Sequence, residues 1–171
     1  MADTVTAAKV QLVDHGWIGI KKQFKELKTH RLTIGFQGKS GAQLYPEGIN
    51  VASVATYQEF GTGHGVPARP FLRAAMFEHR DKIARLYAIG LARLVAGKIT
   101  VMKLLAGLGA AIVKLVERKI ESSRAWAKPN SPATNRPDFP LHDTDLMSKS
   151  VTWAIRGKSG DIISTGGASN G

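Results

Sequence analysis

Residue types able to do acid–base or metal chemistry gather at two places in this sequence. Glu59 and His64 flank a glycine-threonine turn, and a carboxylate near an imidazole can pass a proton. His142, Asp143 and Asp145 sit within one turn and offer oxygen and nitrogen donors to a divalent cation. Neither set is complete. No nucleophile, second carboxylate or oxyanion-forming glycine turn accompanies the first, and the second has no partner ligands elsewhere, so Asp143 reads better as a helix cap. Gly38-Lys39-Ser40 has the ending of a phosphate-binding loop, but Thr33 stands where that loop needs its first glycine. Gly107-Leu108-Gly109 follows no strand and is no dinucleotide fingerprint. Cysteine is absent, which removes disulfides and thiolate catalysis and argues against structural zinc. The expectation is a protein that is not an enzyme, with no cofactor and no metal.

The stretch Tyr57 to Ala75 organises the rest. A helix ends at Gly61, where glycine can take a left-handed conformation. Thr62 to Gly65 forms a loop, and Pro67 and Pro70 hold Val66 and Arg69 extended. Pro70 then opens a new helix. In this helix–elbow–helix unit Glu59, Arg69 and Arg73 are expected to make charge-assisted hydrogen bonds, while Phe60, Pro67, Pro70 and Phe71 form the packed core.

Around it, 171 residues with 43% hydrophobic and 22% charged side chains suit one globular domain, over 1–165, with a disordered tail at 166–171. Val10, Val13, Trp17, Ile20, Phe24 and Leu27 form one stripe of a helix over about 4–28, weakened at Gly16 and Gly19, with Lys21, Lys22, Lys25 and Lys28 outward. This helix is expected to pack on a sheet rather than lie on a membrane. Arg31–Gln37 alternates as a half-buried strand, Gly38–Gly41 is a turn, and Asn50 caps a helix to Phe60. From Pro70 to about Arg124 the pattern is helical, interrupted near Gly97. Arg93, Lys98, Lys103 and Lys114 are too many cations for residues 89–116 to span a membrane. The small residues Ala106, Gly107, Gly109, Ala110 and Ala111 would let two helices approach closely, within one chain or between chains. Residues 126–142, rich in proline and turn formers, form an extended arm. Ser150–Arg156 and 161–165 then pair as a hairpin. The fold class is α+β: a small, mostly antiparallel sheet flanked by an N-terminal helix and a long central helical segment.

Charge is uneven. Of the excess that gives a net charge of +11, nearly all lies in residues 61–128, which carry 13 cations against 4 acids. Such a stripe attracts phosphate backbones or acidic protein surfaces, and its pull fades with salt. The start of the chain, MADTVTAAKV, lacks the basic flank and apolar run of a secretory signal, so a cytoplasmic site of synthesis and assembly is expected.

Glu59-Phe60-Gly61-Thr62, followed by Val66-Pro67-Ala68-Arg69-Pro70-Phe71-Leu72, resembles the signature of the tail-completion and neck proteins of long-tailed bacteriophages, of the minor tail protein Z and virion morphogenesis type. The resemblance extends to Pro129-Asn130-Ser131-Pro132-Ala133-Thr134 and to Pro140-Leu141-His142-Asp143-Thr144-Asp145-Leu146, in the same order, over about residues 17–156. Asp145 replaces the glycine usual at its position, and the arm has only Arg136 where a basic stretch is common. The resemblance implies a tail-terminator-like fold and a structural role at the head–tail junction of the virion. The protein would form a homo-oligomeric ring, often sixfold, between connector or neck proteins and the tail tube. It implies assembly contacts through Glu59, Phe60, Gly61, Pro67, Arg69, Pro70, Phe71, Arg73, Asp143, Thr144 and Leu146. Arg80, Lys82, Arg85 and Arg93 would face either the DNA in the channel, without sequence specificity, or an acidic neighbouring ring. No membrane partner is implied.

Overall fold

The computed structural model describes residues 16–63, 65–132, 138, 140–141 and 145–167. Within them the chain is α+β, with a three-stranded antiparallel sheet and helices packed across it. In order come α1 (Trp17–Thr29), β1 (Arg31–Gly35), α2 (Gly38–Ala42), α3 (Val51–Phe60), α4 (Phe71–Glu78), α5 (Arg80–Val95), α6 (Val101–Glu121), α7 (Leu146–Lys149), β2 (Thr152–Arg156) and β3 (Ile162–Gly167). The sheet order is β1-β2-β3, so the last two strands make a hairpin and β2 returns to the middle to pair with β1. That return is a long-range closure: Thr33 opposes Ala154, and Thr165 flanks Ala154 on the other side.

The central helix α6 holds the fold together. Thr100 caps it by accepting from the Lys103 amide at 3.3 Å, and Arg118 and Lys119 face its negative C-terminal end. Leu104, Leu105, Ile112, Val113, Val116 and Ile120 are buried along it. Its N-terminal half meets Leu94 of α5 and Ile155 of β2, and its C-terminal half meets Phe71 and Ala75 of α4, Val51 and Ala55 of α3 and Met147 of α7. Phe36 stands edge-on to Phe71, ring centroids 6.0 Å apart, joining the end of β1 to the elbow.

Several sequence expectations are corrected here. Within the chain the small residues of α6 do not serve helix–helix contact as a set. Gly109 admits the Trp153 ring of β2, which lies between Gly109 and Gly166; a methyl group at either glycine would come within 2.7 Å of that ring. The close approach of α5 to α6 is made instead at Gly90, against the Leu104 side chain, while Gly107 and Ala110 face outward. Gly38–Ala42 forms a short helix rather than a turn, with Gly41 pressed against the Phe36 carbonyl. The central helical segment breaks at His79 as well as near Gly97, whose φ is +68°. Gly166 and Gly167 belong to β3, not to a disordered tail, because they pair with Trp153 and Thr152. Finally, α1 buries none of its residues: Leu27 reaches the core, but Trp17 and Phe24 of the expected stripe stay exposed. The described helix begins at Trp17, after Gly16 with φ +95°; Val10 and Val13 lie outside the described residues.

Candidate assembly site

The elbow is built from the end of α3 to the start of α4. Asn50 starts α3 by accepting from the Ser53 amide at 2.8 Å. Gly61 ends it with φ +75°, its amide 2.8 Å from the Tyr57 carbonyl. A side chain at Gly61 would be strained, and its Cβ would lie 2.9 Å from the Ala68 amide nitrogen. The chain then folds back: Thr62 donates to the Val66 carbonyl at 2.9 Å, and the Arg69 amide donates to the Gln58 carbonyl at 2.6 Å. Pro70 precedes α4 as its cap residue, one position earlier than a first helical residue, and Phe71 is fully buried behind it.

Two charged side chains are buried in this turn. Glu59, 4% exposed, accepts from the amides of Leu72 and Arg73 at 2.9 and 3.1 Å. These are first-turn N–H groups of α4, which has no cap of its own, so a carboxylate from the preceding helix supplies both the missing acceptors and the negative charge favoured there. Arg73 returns the contact, Nε to the carboxylate at 2.9 Å and Nη2 to the Glu59 carbonyl at 3.1 Å, while its guanidinium lies over the Phe60 ring at 4.8 Å. Phe60 itself is 63% exposed, which corrects its expected place in the packed core: it supports Arg73 from the solvent side.

Arg69 is 3% exposed and has no carboxylate partner among the described residues. Its Nε donates to the Lys128 carbonyl and its Nη2 to the Pro129 carbonyl, both at 2.7 Å, and Nη1 donates to the Gln58 side-chain oxygen. Burial pulls its pKa below the usual guanidinium value. The elbow therefore holds the start of the arm on its own subunit. The far end is held too, by buried Ser123 donating to the Pro140 carbonyl, and at the near end Trp126 Nε1 donates to the Lys119 carbonyl at 3.0 Å. Lys119 then lies over the Trp126 ring and 2.6 Å from Glu78 of α4. Between arm and elbow is a cavity of about 270 Å³ lined by Tyr45, Ile49, Gln58, Asn130, Leu141 and Met147, among others.

Sequence reasoning missed Gln58, the Lys128 and Pro129 carbonyls, and the Ser123 tie. Gln58 had a weak signal in its place beside Glu59; carbonyl acceptors have none, since every residue carries one. His64, His142, Asp143 and Thr144 lie outside the described residues. Asp145 precedes α7 with φ +56°, a left-handed conformation that Asp tolerates and glycine prefers. Leu146 packs half-buried against the core at the start of α7. Among the described residues no three His, Cys, Asp or Glu side chains gather to hold a metal.

The four basic residues of α5 do not share one face. Lys82, Arg85 and Arg93 fall on one side by helical spacing, and Arg93 lines the groove with Ile89 and Lys103. Arg80 lines the opposite groove, with Met76, Ile83 and Tyr87, and its guanidinium covers Phe77 at 4.7 Å. No described helix is long and apolar enough to cross a membrane. In comparisons with protein-family models, curated proteins and solved structures, no match to this chain is found.

Proposed function

We propose that this chain is a non-enzymatic structural protein of a bacteriophage virion. In this reading it completes the tail and joins it to the head as a subunit of a ring around the DNA channel, often sixfold, between connector or neck proteins and the tail tube. The carrying observation is the buried Arg69 side chain. It unites the two motifs on which the resemblance rests, PARPFL in the elbow and PNSPAT in the arm, which are some sixty residues apart in sequence and meet through the Lys128 and Pro129 carbonyls. A second observation agrees: Asp145 occupies a left-handed position, where the glycine usual in that family would fit. The arm is tied to its own protomer at Lys128, Pro129 and Pro140, which leaves the elbow side as the surface offered to a neighbour. On this surface Phe60, Tyr57, Leu44 and Ile49 are exposed beside the elbow. The cations of α5 split between two faces, so the Lys82, Arg85 and Arg93 side and the Arg80 side meet different surroundings in a ring. Each faces either the channel DNA or an acidic neighbouring ring.

The test combines location with a substitution. Purified particles imaged by electron cryomicroscopy should show this chain as a closed ring at the neck. Arg69→Lys keeps the charge but cannot span two adjacent carbonyls and Gln58 with one ammonium. In complementation it should yield a folded protomer and fewer joined particles. A chain absent from purified particles overturns the reading, and unchanged joining by Arg69→Lys removes the elbow–arm tie from it.

A further inference from the structure

The sheet is open at both ends. β2 is central, and among the described residues neither β1 nor β3 has a backbone hydrogen-bond partner on its outer side. An unpaired strand edge is a template for another strand, and proteins that must avoid this place lysine, proline or inward charges there. β3 has none of these: Ile162–Gly167 contains no ionisable residue, and β1 carries only Arg31, at its start. A bulge at Ile163 bends the beginning of β3 and leaves Ser164–Gly167 as the regular part of the edge. Ile162 and Ile163, 44% and 52% exposed, stand beside it.

Charge selects the occupant. Each copy carries +11, so two copies repel except where cations are sparse. The grooves beside α5 are rimmed by Arg80, Arg93 and Lys103 and suit an acidic partner better than a second copy. The strand edges are neutral along most of their length. They also match: Leu32 to Gly35 lie level with Ser164 to Gly167 across β2, and β1 and β3 run in the same direction because each is antiparallel to β2.

We propose that β3 of one copy adds in parallel to β1 of the next, continuing the sheet from subunit to subunit. This deepens the ring reading and rests on it, because a head-to-tail contact that uses two different edges of each copy repeats around an axis and makes a ring when the rotation per subunit closes. The same edges paired as β3 to β3 would instead give a two-fold dimer.

The natural chain has no cysteine, so the contact can be read by cross-linking without background. Thr33→Cys and Thr165→Cys are made in separate full-length chains, one carrying a size tag, then mixed and treated with a bis-maleimide spanning about 8 Å. That span covers one two-residue shift of register, about 6.6 Å. The expected result is a mixed dimer of the two variants, with little product from either alone, and loss of that product when Ile163→Lys is added to the Thr165→Cys chain. Circular dichroism of the Ile163→Lys chain shows whether it remains folded. Product from Thr165→Cys alone assigns the two-fold arrangement and overturns the proposal, as does no product at concentrations where the wild-type chain sediments as an oligomer or as a monomer. The two readings separate cleanly. A chain found in particles but not cross-linked loses the edge contact and keeps its place at the neck, whereas a chain that cross-links but is missing from particles keeps the edge and loses the neck.

Discussion

Replacing Glu59 by Ala tests whether a carboxylate from one helix starts the next. Glu59 is almost fully buried and accepts from two first-turn amides of α4, at 2.9 and 3.1 Å. Loss of a helix cap costs about 0.5–2 kcal/mol, and a hydrogen bond to a charged group contributes about 1.5–3 kcal/mol. Two such bonds in a site that admits little water put the loss at about 3 kcal/mol. Arg73 adds little to that figure, because its side chain is 60% exposed and rehydrates when the partner is removed. For a chain of this size each kcal/mol moves the midpoint by roughly 2–4 °C, so Glu59→Ala should melt about 6–12 °C lower. Glu59→Gln keeps the shape and one acceptor and should fall between. Arg73→Ala should cost under about 1 kcal/mol. Urea unfolding followed by circular dichroism measures all three. A Glu59→Ala loss below about 1 kcal/mol, or an Arg73→Ala loss as large as that of Glu59→Ala, would refute the reasoning: the pair would then be a surface ion pair and not a cap.

Two further perturbations follow from packing and charge. Gly109→Ala places a methyl group 2.7 Å from the Trp153 ring, which Gly166 blocks from behind, so it should cost about 1–3 kcal/mol in urea unfolding; Gly107→Ala, with nothing within 4 Å, should be neutral or slightly stabilising in the same measurement. Glu117 has its pKa raised above 4.5 by burial first and by the charge of Glu121 second, with Lys114 opposing. The folded state thus holds that proton more tightly than the unfolded chain, so its burden is absent below the unfolded pKa and present in full once pH passes the folded one. Glu117→Gln should raise the melting temperature at pH 7 and leave it unchanged at about pH 4; an equal gain at both would show that titration is not the cause.

Much of the fold was legible because it rests on local chemistry. Asn50 before an apolar run, glycine at 61, prolines at 67 and 70 and the alternation from Arg31 each report a backbone preference that survives packing. What failed depended on where a side chain ends up. Phe60 reads as core by type, yet the helix turn points it to solvent, where Arg73 covers it. The glycines of α6 read as a helix–helix stripe, but the indole that fills Gly109 comes from a residue some forty positions later. The end of β3 reads as a disordered tail because glycine has little strand propensity. Gly166 is required there since its neighbour across the ladder is Trp153, whose ring leaves no room for a Cβ.

The candidate site shows why Arg69 and Glu59, both buried in the elbow and opposite in charge, are not used as a pair. Joined to each other they would satisfy one another and fix nothing else. Instead the carboxylate is spent on amides of α4, and the guanidinium on two consecutive carbonyls of the arm and on Gln58 of α3. Backbone groups of an irregular segment cannot be satisfied by a helix or ladder, and leaving them buried and unpaired costs about 1–3 kcal/mol each. A planar fork with donors set at fixed angles meets that need and also dictates the direction in which residues 128–129 leave the elbow. The direction of the arm is therefore coupled through Arg69 to the geometry of the α3–α4 turn, whose α4 side is itself anchored in the core by Phe71 and Ala75.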